Sequence, residues 1–404
     1  MVNTRIVNTR SVKITDHLQY IGVNDRDTHL FESMWPLPDG ISYNSYLLDG
    51  GTKTCLLDCV NIDSVNEFKG KLDEVLQGRP LDYIIVNHME PDHTSSIRTI
   101  VDLYPSVEIV TNKRAVPFLK NYYKIENNII LVDEGDTFQV GERSLTFYTT
   151  PMVHWPESMV CFEEETGILF SQDIFGGFGT LDGGIFDDQI KWEFYEDETV
   201  RYFTNIVGKY ANQAKRALKK LGGLDIKMIC PDHGVVWRED PKKVIQLYSD
   251  LAEQKTKDGV LIIYGSMYGN TEMMAEAIGR ALSAQGVKDI RIRDISKTHL
   301  SYLIAETWNY KGIILGCPTY NVKLFPPMQT LINVLKGQKM KNHIFGSFSN
   351  YSWGGGAEEE FAKFAQESGW EILETTPKSN GLPDQEDLEA CGQLAQEMVQ
   401  ALSK

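Results

Sequence analysis

The chain has 404 residues, of which 42% are apolar and 24% charged, with a formal net charge of -16. This is the composition of an ordinary globular protein with length for two or three domains and full cores, and its acidity argues against a nucleic-acid face. No apolar run approaches the roughly 18 residues that span a bilayer, and the opening Met-Val-Asn-Thr-Arg has no signal-peptide core.

Residues 18–22, 43–48 and 54–58 read as short strands, with Asp49-Gly50-Gly51 as a hairpin turn between the last two. A helix is expected over 65–76, then a buried strand at Tyr83-Ile84-Ile85-Val86. That strand runs into Asn87-His88-Met89-Glu90-Pro91-Asp92-His93, where four groups able to bind metal arrive within six residues. His88 and Glu90 are two apart, so an extended backbone points them to one side. Pro91 then turns the chain, and Asp92 and His93 follow directly. Such a loop aims two ligands at one metal and two at another. A polar turn with histidines capping a helix leaves the alternating carboxylates unexplained.

A helix is expected from about Ser95, a strand at 107–110, a helical stretch at 114–123 and a meander of strands over 129–149. Three more strand ends carry candidate ligands: His154, Asp173 and His233. His233 is preferred to its neighbour Asp232 because Gly234 suits a tight loop. His17, His29, His299 and His343 lack this setting and read as surface or structural residues. The six cysteines include no Cys-x-x-Cys pair. No zinc ribbon or rubredoxin-like iron site is therefore expected, and a reducing cytoplasm is the expected compartment.

A helix follows over 241–254, and the polar stretch at 255–259 places the expected boundary between domains 1–257 and 258–404. The second domain opens with the strand Val260–Tyr264, the loop Gly265-Ser266-Met267-Tyr268-Gly269-Asn270-Thr271, and a helix. Backbone N–H groups, hydroxyls and a helix N-terminus suit a phosphate, although the loop is neither Gly-x-Gly-x-x-Gly nor a Walker sequence. Two further buried strands, 312–316 and 344–348, end in Cys317-Pro318-Thr319-Tyr320-Asn321 and in Ser349-Asn350-Tyr351-Ser352-Trp353-Gly354. Such loops gather at the carboxyl ends of a parallel sheet, where open α/β sheets bind ligands.

His-x-Glu-x-Asp-His at 88–93, followed in order by His154, Asp173 and His233, resembles the metallo-β-lactamase-type domain of the flavodiiron proteins. Ser266-x-x-Gly269-x-Thr271 resembles the phosphate loop of flavodoxins, whose ligand is FMN. The hydrolases of the lactamase superfamily show a second His where this chain has Glu90. A mixed imidazole and carboxylate shell suits iron better than zinc. Two ferrous ions would meet three carboxylates, Glu90, Asp92 and Asp173, and one hydroxide bridge would neutralise the site.

The resemblance implies an α/β protein: a metallo-β-lactamase-like αββα sandwich followed by a flavodoxin-like doubly wound parallel sheet. It implies one iron on His88, Glu90 and His154, another on Asp92, His93 and His233, and Asp173 between them. It implies FMN on residues 266–271, on Pro318 to Asn321 and on Ser349 to Gly354. It further implies reduction of dioxygen to water or of nitric oxide to nitrous oxide, and head-to-tail homodimers or dimers of dimers. No rubredoxin-like or nicotinamide-binding module is seen before residue 404. The expected donor is therefore separate: rubredoxin, a flavin reductase or a reduced deazaflavin. The alternatives are a zinc hydrolase fused to a redox-sensing flavin domain, which Glu90 disfavours, and an electron carrier with an inactive metal domain, which the complete ligand set disfavours.

Overall fold

The computed structural model describes residues 10–404, so the opening Met-Val-Asn-Thr-Arg lies outside the described residues. Contacts divide the chain into Met1–Ser249 and Asp250–Lys404, within the helix Pro241–Ala252.

Short apolar runs in the first unit build two sheets in nearly sequential order. The first comprises β1 (Val12–Lys13), β2 (Leu18–Tyr20), β3 (Tyr46–Asp49), β4 (Thr54–Leu57), β5 (Tyr83–Ile85), β6 (Glu108–Thr111) and β7 (Ile129–Leu131). It is antiparallel up to β4 and parallel beyond. Parallel pairing needs crossovers. Helix α1 (Val65–Leu76) supplies the one from β4 to β5, burying Phe68, Leu72 and Leu76 on one face. It ends where Gln77 and Gly78 turn left-handed, at φ 49° and 84°.

The second sheet comprises β8 (Thr137–Val140), β9 (Arg143–Thr149), β10 (Met159–Glu163), β11 (Ile168–Gln172) and β12 (Met228–Pro231). Its inner residues meet those of the first sheet, as in Tyr46 against Phe170, with ring centroids 5.7 Å apart.

Three sequence expectations change here. The expected strand 43–48 is broken at Asn44-Ser45, because the Asn44 backbone N–H donates to the Asp232 carbonyl at 2.7 Å while its side-chain amide donates to the carbonyls of Pro231 and Gly234. The meander over 129–149 is divided: β7 pairs with β6 in the first sheet, and the chain changes sheets at the turn Asp133–Asp136 before β8. Pro91 does more than turn the chain. It starts the short helix α2 (Pro91–Thr94), ahead of α3 (Ile97–Leu103), because its fixed φ and missing N–H suit a first helical position.

The second unit holds the strands β13 (Lys257–Tyr264), β14 (Ile290–Asp294), β15 (Tyr310–Tyr320), β16 (Ile344–Tyr351) and β17 (Glu371–Ile372), in the spatial order 2-1-3-4-5. All are parallel along this path. This is the flavodoxin-like doubly wound order, with its switch point at β13 and β15. β13 is buried on both faces and reads as an unbroken apolar run from Val260 to Ile263. Met274, Ile278 and Leu282 of α4 (Asn270–Ala284) and Leu394 and Met398 of α5 (Gln385–Leu402) pack with β13 in one core cluster. The N-terminus of α5 is fixed by a reciprocal capping pair between Asp384 and Asp387. A Cβ at Gly316 would lie 2.0 Å from the Phe348 ring, so any larger residue there would displace that ring. β15 and β16 run further than the sequence suggests, so Pro318 to Tyr320 and Ser349 to Tyr351 sit on strand ends rather than in loops.

His343 is buried below the start of β16, with its ring 4.5 Å from that of Trp370 and its Nδ1–H donating to the Tyr310 carbonyl at 2.8 Å. Burial pushes its pKa down from 6.5 to about 4. Folding therefore favours the neutral ring. The associated stability is complete above the unfolded pKa of about 6.5 and is lost as pH falls through 4, a difference of about 3 kcal/mol. Urea unfolding of the full chain between pH 7 and 4 should show this slope, and His343→Gln should flatten it; an unchanged slope in the variant contradicts the assignment.

Candidate metal centre and flavin cavity

The ligand candidates of the first unit all lie just beyond strand ends. His88 and Glu90 follow β5, Asp92 and His93 ride on α2, His154 follows β9, Asp173 follows β11 and His233 follows β12. The loops are held by specific bonds. The Gln172 side chain donates to the Val153 carbonyl and accepts from the Asp173 N–H, both at 2.7 Å, and so ties the His154 loop to Asp173. Gly234, at φ 72°, makes the tight turn after His233, and its N–H bonds the Ser42 hydroxyl at 2.8 Å.

The seven side chains form two groups. His88, Glu90, His154 and Asp173 have ligand atoms within 4.8 Å of one another, as do Asp92, His93 and His233. In the first group, His154 Nε2 lies 2.7 Å from Glu90 Oε2 and 3.3 Å from His88 Nε2. In the second, His233 Nε2 lies 3.1 Å and His93 Nε2 3.4 Å from Asp92 Oδ2. Asp173 faces both. Its Oδ2 is 3.1 Å from His154 Nε2 and 3.3 Å from His88 Nε2, and its Oδ1 is 3.0 Å from His93 Nε2. Asp232 is turned away, its Oδ2 3.7 Å from the far nitrogen of His93.

These residues fit a pair of cations. Asp92 Oδ1 is buried with no hydrogen bond, and Asp92 Oδ2, Asp173 Oδ2 and His233 Nε2 face only one another or other ligand atoms, without hydrogen-bond geometry. Buried polar atoms left so are costly, and their convergence fits positive charge between them. Proton electrostatics agree. Burial opposes charge on the imidazoles, yet the carboxylates outweigh it: Asp92 and Asp173 raise His93 to about 10, and Glu90 and Asp173 raise His154 to about 9. Burial likewise opposes charge on Asp173, but His93 and His88 hold its carboxyl well below the usual range. The carboxylates therefore favour positive charge within the site.

The surroundings include residues that the sequence did not single out. Tyr202 ends α-helical residues 196–202, its ring 5.5 Å from that of His233 and its hydroxyl buried without a partner. Phe31 and Phe178 complete an aromatic wall beside His233. Trp155 stands edge-on to His88 at 5.5 Å. Glu32, in the turn between Leu30–Phe31 and Trp35–Pro36, bonds towards Glu90; burial and the Glu90 charge push it up to about 7. Of these, Trp155 alone is offered by the sequence, as an aromatic neighbour of His154 that would suit a small apolar gas; the others follow no ligand-like spacing, and only the fold brings them in.

In the second unit a cavity of about 460 Å³ opens at the carboxyl ends of β13, β15 and β16. Ser266, Met267, Tyr268, Asn270 and Thr271 form one wall, residues 318–322 another, and Asn350 to Trp353 the third. Gly269 does not line it but shapes it, as the cap of α4 at φ 94°, and its N–H bonds the Ser266 hydroxyl at 3.0 Å. Ser349 and Gly354 stand off the wall, while Val322, absent from the sequence reading, joins it. Hydroxyls at a helix N-terminus beside exposed aromatic faces fit a flavin mononucleotide: an anion at one end and a flat ring at the other.

Comparison with known proteins agrees with the two-domain organisation. Residues 41–234 match the family described as ODP family beta lactamase, and residues 262–393 match Flavodoxin. The chain is 32% identical over 396 residues to a nitric oxide reductase of Moorella thermoacetica, covering 97% of this chain and 98% of that protein. Rubredoxin oxygen:oxidoreductase from Desulfovibrio gigas superposes with a TM-score of 0.93 at 29% identity, over 97% of this chain and 98% of that one. A flavo di-iron protein variant from Thermotoga maritima superposes at 0.89 with 26% identity, over the same shares of the two chains. With a lactamase-like domain carrying two facing ligand groups and a flavodoxin domain carrying a flavin-sized cavity, the chain belongs to the flavodiiron protein family of oxidoreductases.

Proposed function

We propose that this protein takes electrons from an external donor through FMN to a di-iron centre and reduces dioxygen to water, nitric oxide to nitrous oxide, or both. The observation that carries the reading is the pair of buried ligand groups sharing Asp173, with carboxylate oxygens that face other ligand atoms but make no hydrogen bond. In this reading His88, Glu90 and His154 would hold one iron, Asp92, His93 and His233 the other, and Asp173 would offer an oxygen to each. Residues 266–271 hold the FMN phosphate, and Tyr320, Tyr351 and Trp353 flank its ring. When bound, the flavin supplies single-electron transfer and the irons supply redox electrons and a place for the diatomic.

The chain's own residues perform the rest. Phe31, Phe178 and Trp155 keep the surroundings apolar, which suits a small uncharged gas and excludes water. The Tyr202 hydroxyl has a proton to offer and no partner, so it donates to substrate oxygen beside His233. Trp353 and Tyr268, 88% and 90% exposed at the rim of the flavin cavity, support burial by a second copy, as in a head-to-tail pair. Six buried free cysteines support a reducing, cytoplasmic setting. Relatives named rubredoxin-oxygen oxidoreductase and flavorubredoxin make a rubredoxin-type donor the first to test, ahead of a flavin reductase or reduced deazaflavin. The hydrolase reading has no comparable support, since Glu90 stands where hydrolases of this superfamily carry His.

Oxygen-electrode and nitric-oxide-electrode assays on one anaerobically reduced sample test the reaction, and a protein that consumes neither gas refutes it. Asp173→Ala should keep its flavin absorbance and lose iron and turnover; full turnover in that variant removes the bridge. Tyr202→Phe should retain both cofactors and lose about tenfold in rate, the worth of one buried hydrogen bond; an unchanged rate assigns the hydroxyl no part. Ser266→Ala with Thr271→Val should release FMN on dialysis, and retained flavin would place the phosphate elsewhere.

A further inference from the structure

The two metal positions differ in what stands behind their imidazoles. Glu157 is 1% exposed, and its Oε1 lies 3.1 Å from His88 Nδ1 while accepting the Met89 N–H at 2.9 Å. The Asn112 side chain donates to the Glu157 carbonyl at 2.6 Å and fixes the backbone. His233 Nδ1 instead faces a neutral acceptor, the Ser42 carbonyl, at 2.7 Å. His93 Nδ1 makes no hydrogen bond, its nearest carboxylate being Asp232 at 3.7 Å. Among the described residues, His88 is the one imidazole of the four with a carboxylate in hydrogen-bond reach of Nδ1.

A carboxylate accepting the Nδ1–H fixes the tautomer that leaves Nε2 free, orients the ring and makes Nε2 a stronger donor; a carbonyl does so less. Glu157 also sets a buried carboxylate in hydrogen-bond contact behind this position, whereas behind the Asp92 group Asp232 stays 3.7 Å from His93 Nδ1 and makes no hydrogen bond to it.

We propose that Glu157 is a positioning residue that makes the position at His88, Glu90 and His154 the tighter of the two metal sites. This rests on the metal-binding reading above. Glu157 touches neither metal nor substrate; it acts through His88.

The test is an equilibrium titration of the metal-free, FMN-loaded full chain with cobalt(II) against a competing chelator, followed by the cobalt absorption bands. The wild type should bind two ions in two resolved steps. Glu157→Gln keeps the shape and an acceptor for the Met89 N–H but loses the charge. It should weaken the tighter step about 10- to 100-fold and leave the other step and the flavin spectrum unchanged. Asp92→Asn should do the reverse, weakening the second step alone and so identifying the first. A merely structural role for Glu157 would weaken both steps together, and that result overturns the proposal, as does a tighter step that Glu157→Gln does not move. A wild type that binds no cobalt overturns the metal-site reading itself, and the proposal with it.

Discussion

Everything in the first unit converges on a single carboxylate. Asp173 is buried and offers one oxygen to each of two ligand groups, which come from separate strand ends in two different sheets. Bringing three acidic side chains and four imidazoles into one dry space is unfavourable unless compensating charge sits between them. The fold meets that requirement by rigidity. The ligands lie just past buried strands or on a helix whose start is set by Pro91, and Gln172, Ser42 and Asn44 bond the loops to one another. The geometry is thus built by backbone and amide contacts, and the ligands themselves need not hold it.

The second unit solves a different problem. Its cavity lies at the switch point of a doubly wound sheet, where the crossovers leave the strand ends divergent. Gly269 supplies the left-handed turn into α4, and Gly316 lets the Phe348 ring press against β15. Tyr268 and Trp353 stand exposed beside this cavity, where a flat cofactor has aromatic faces to meet. The two units therefore present different chemistry: one a cavity that fits a flavin, the other a buried cluster of carboxylates and imidazoles that fits a pair of cations.

Within the metal centre, symmetry is only approximate. Both groups carry two imidazoles and a carboxylate of their own, yet the hydrogen bonds behind the imidazoles differ, with Glu157 on His88 and a carbonyl on His233. The outer layer is where one position can be tuned without altering the ligands of the other.

The sequence alone determined much of this. The α1 boundaries, the apolar strand before His88, the spacing at 88–93 and the strand–loop–helix at 260–284 are local signals, set by periodicity, proline and glycine that act over a few residues. That the segments holding Met267 and Trp353 meet at one cavity was legible for the same reason, since segments at the ends of parallel strands gather predictably. Tertiary structure alone decided the rest. Asn44 breaks an apparent strand because its amide finds carbonyls nearly 190 residues away. β7 and β8 join different sheets although they are close in sequence. Tyr202, Glu32 and Glu157 reach the centre by packing, and Asp232 is turned out of it although its sequence setting matches that of His233. Such contacts depend on long-range geometry, which a one-dimensional pattern does not carry.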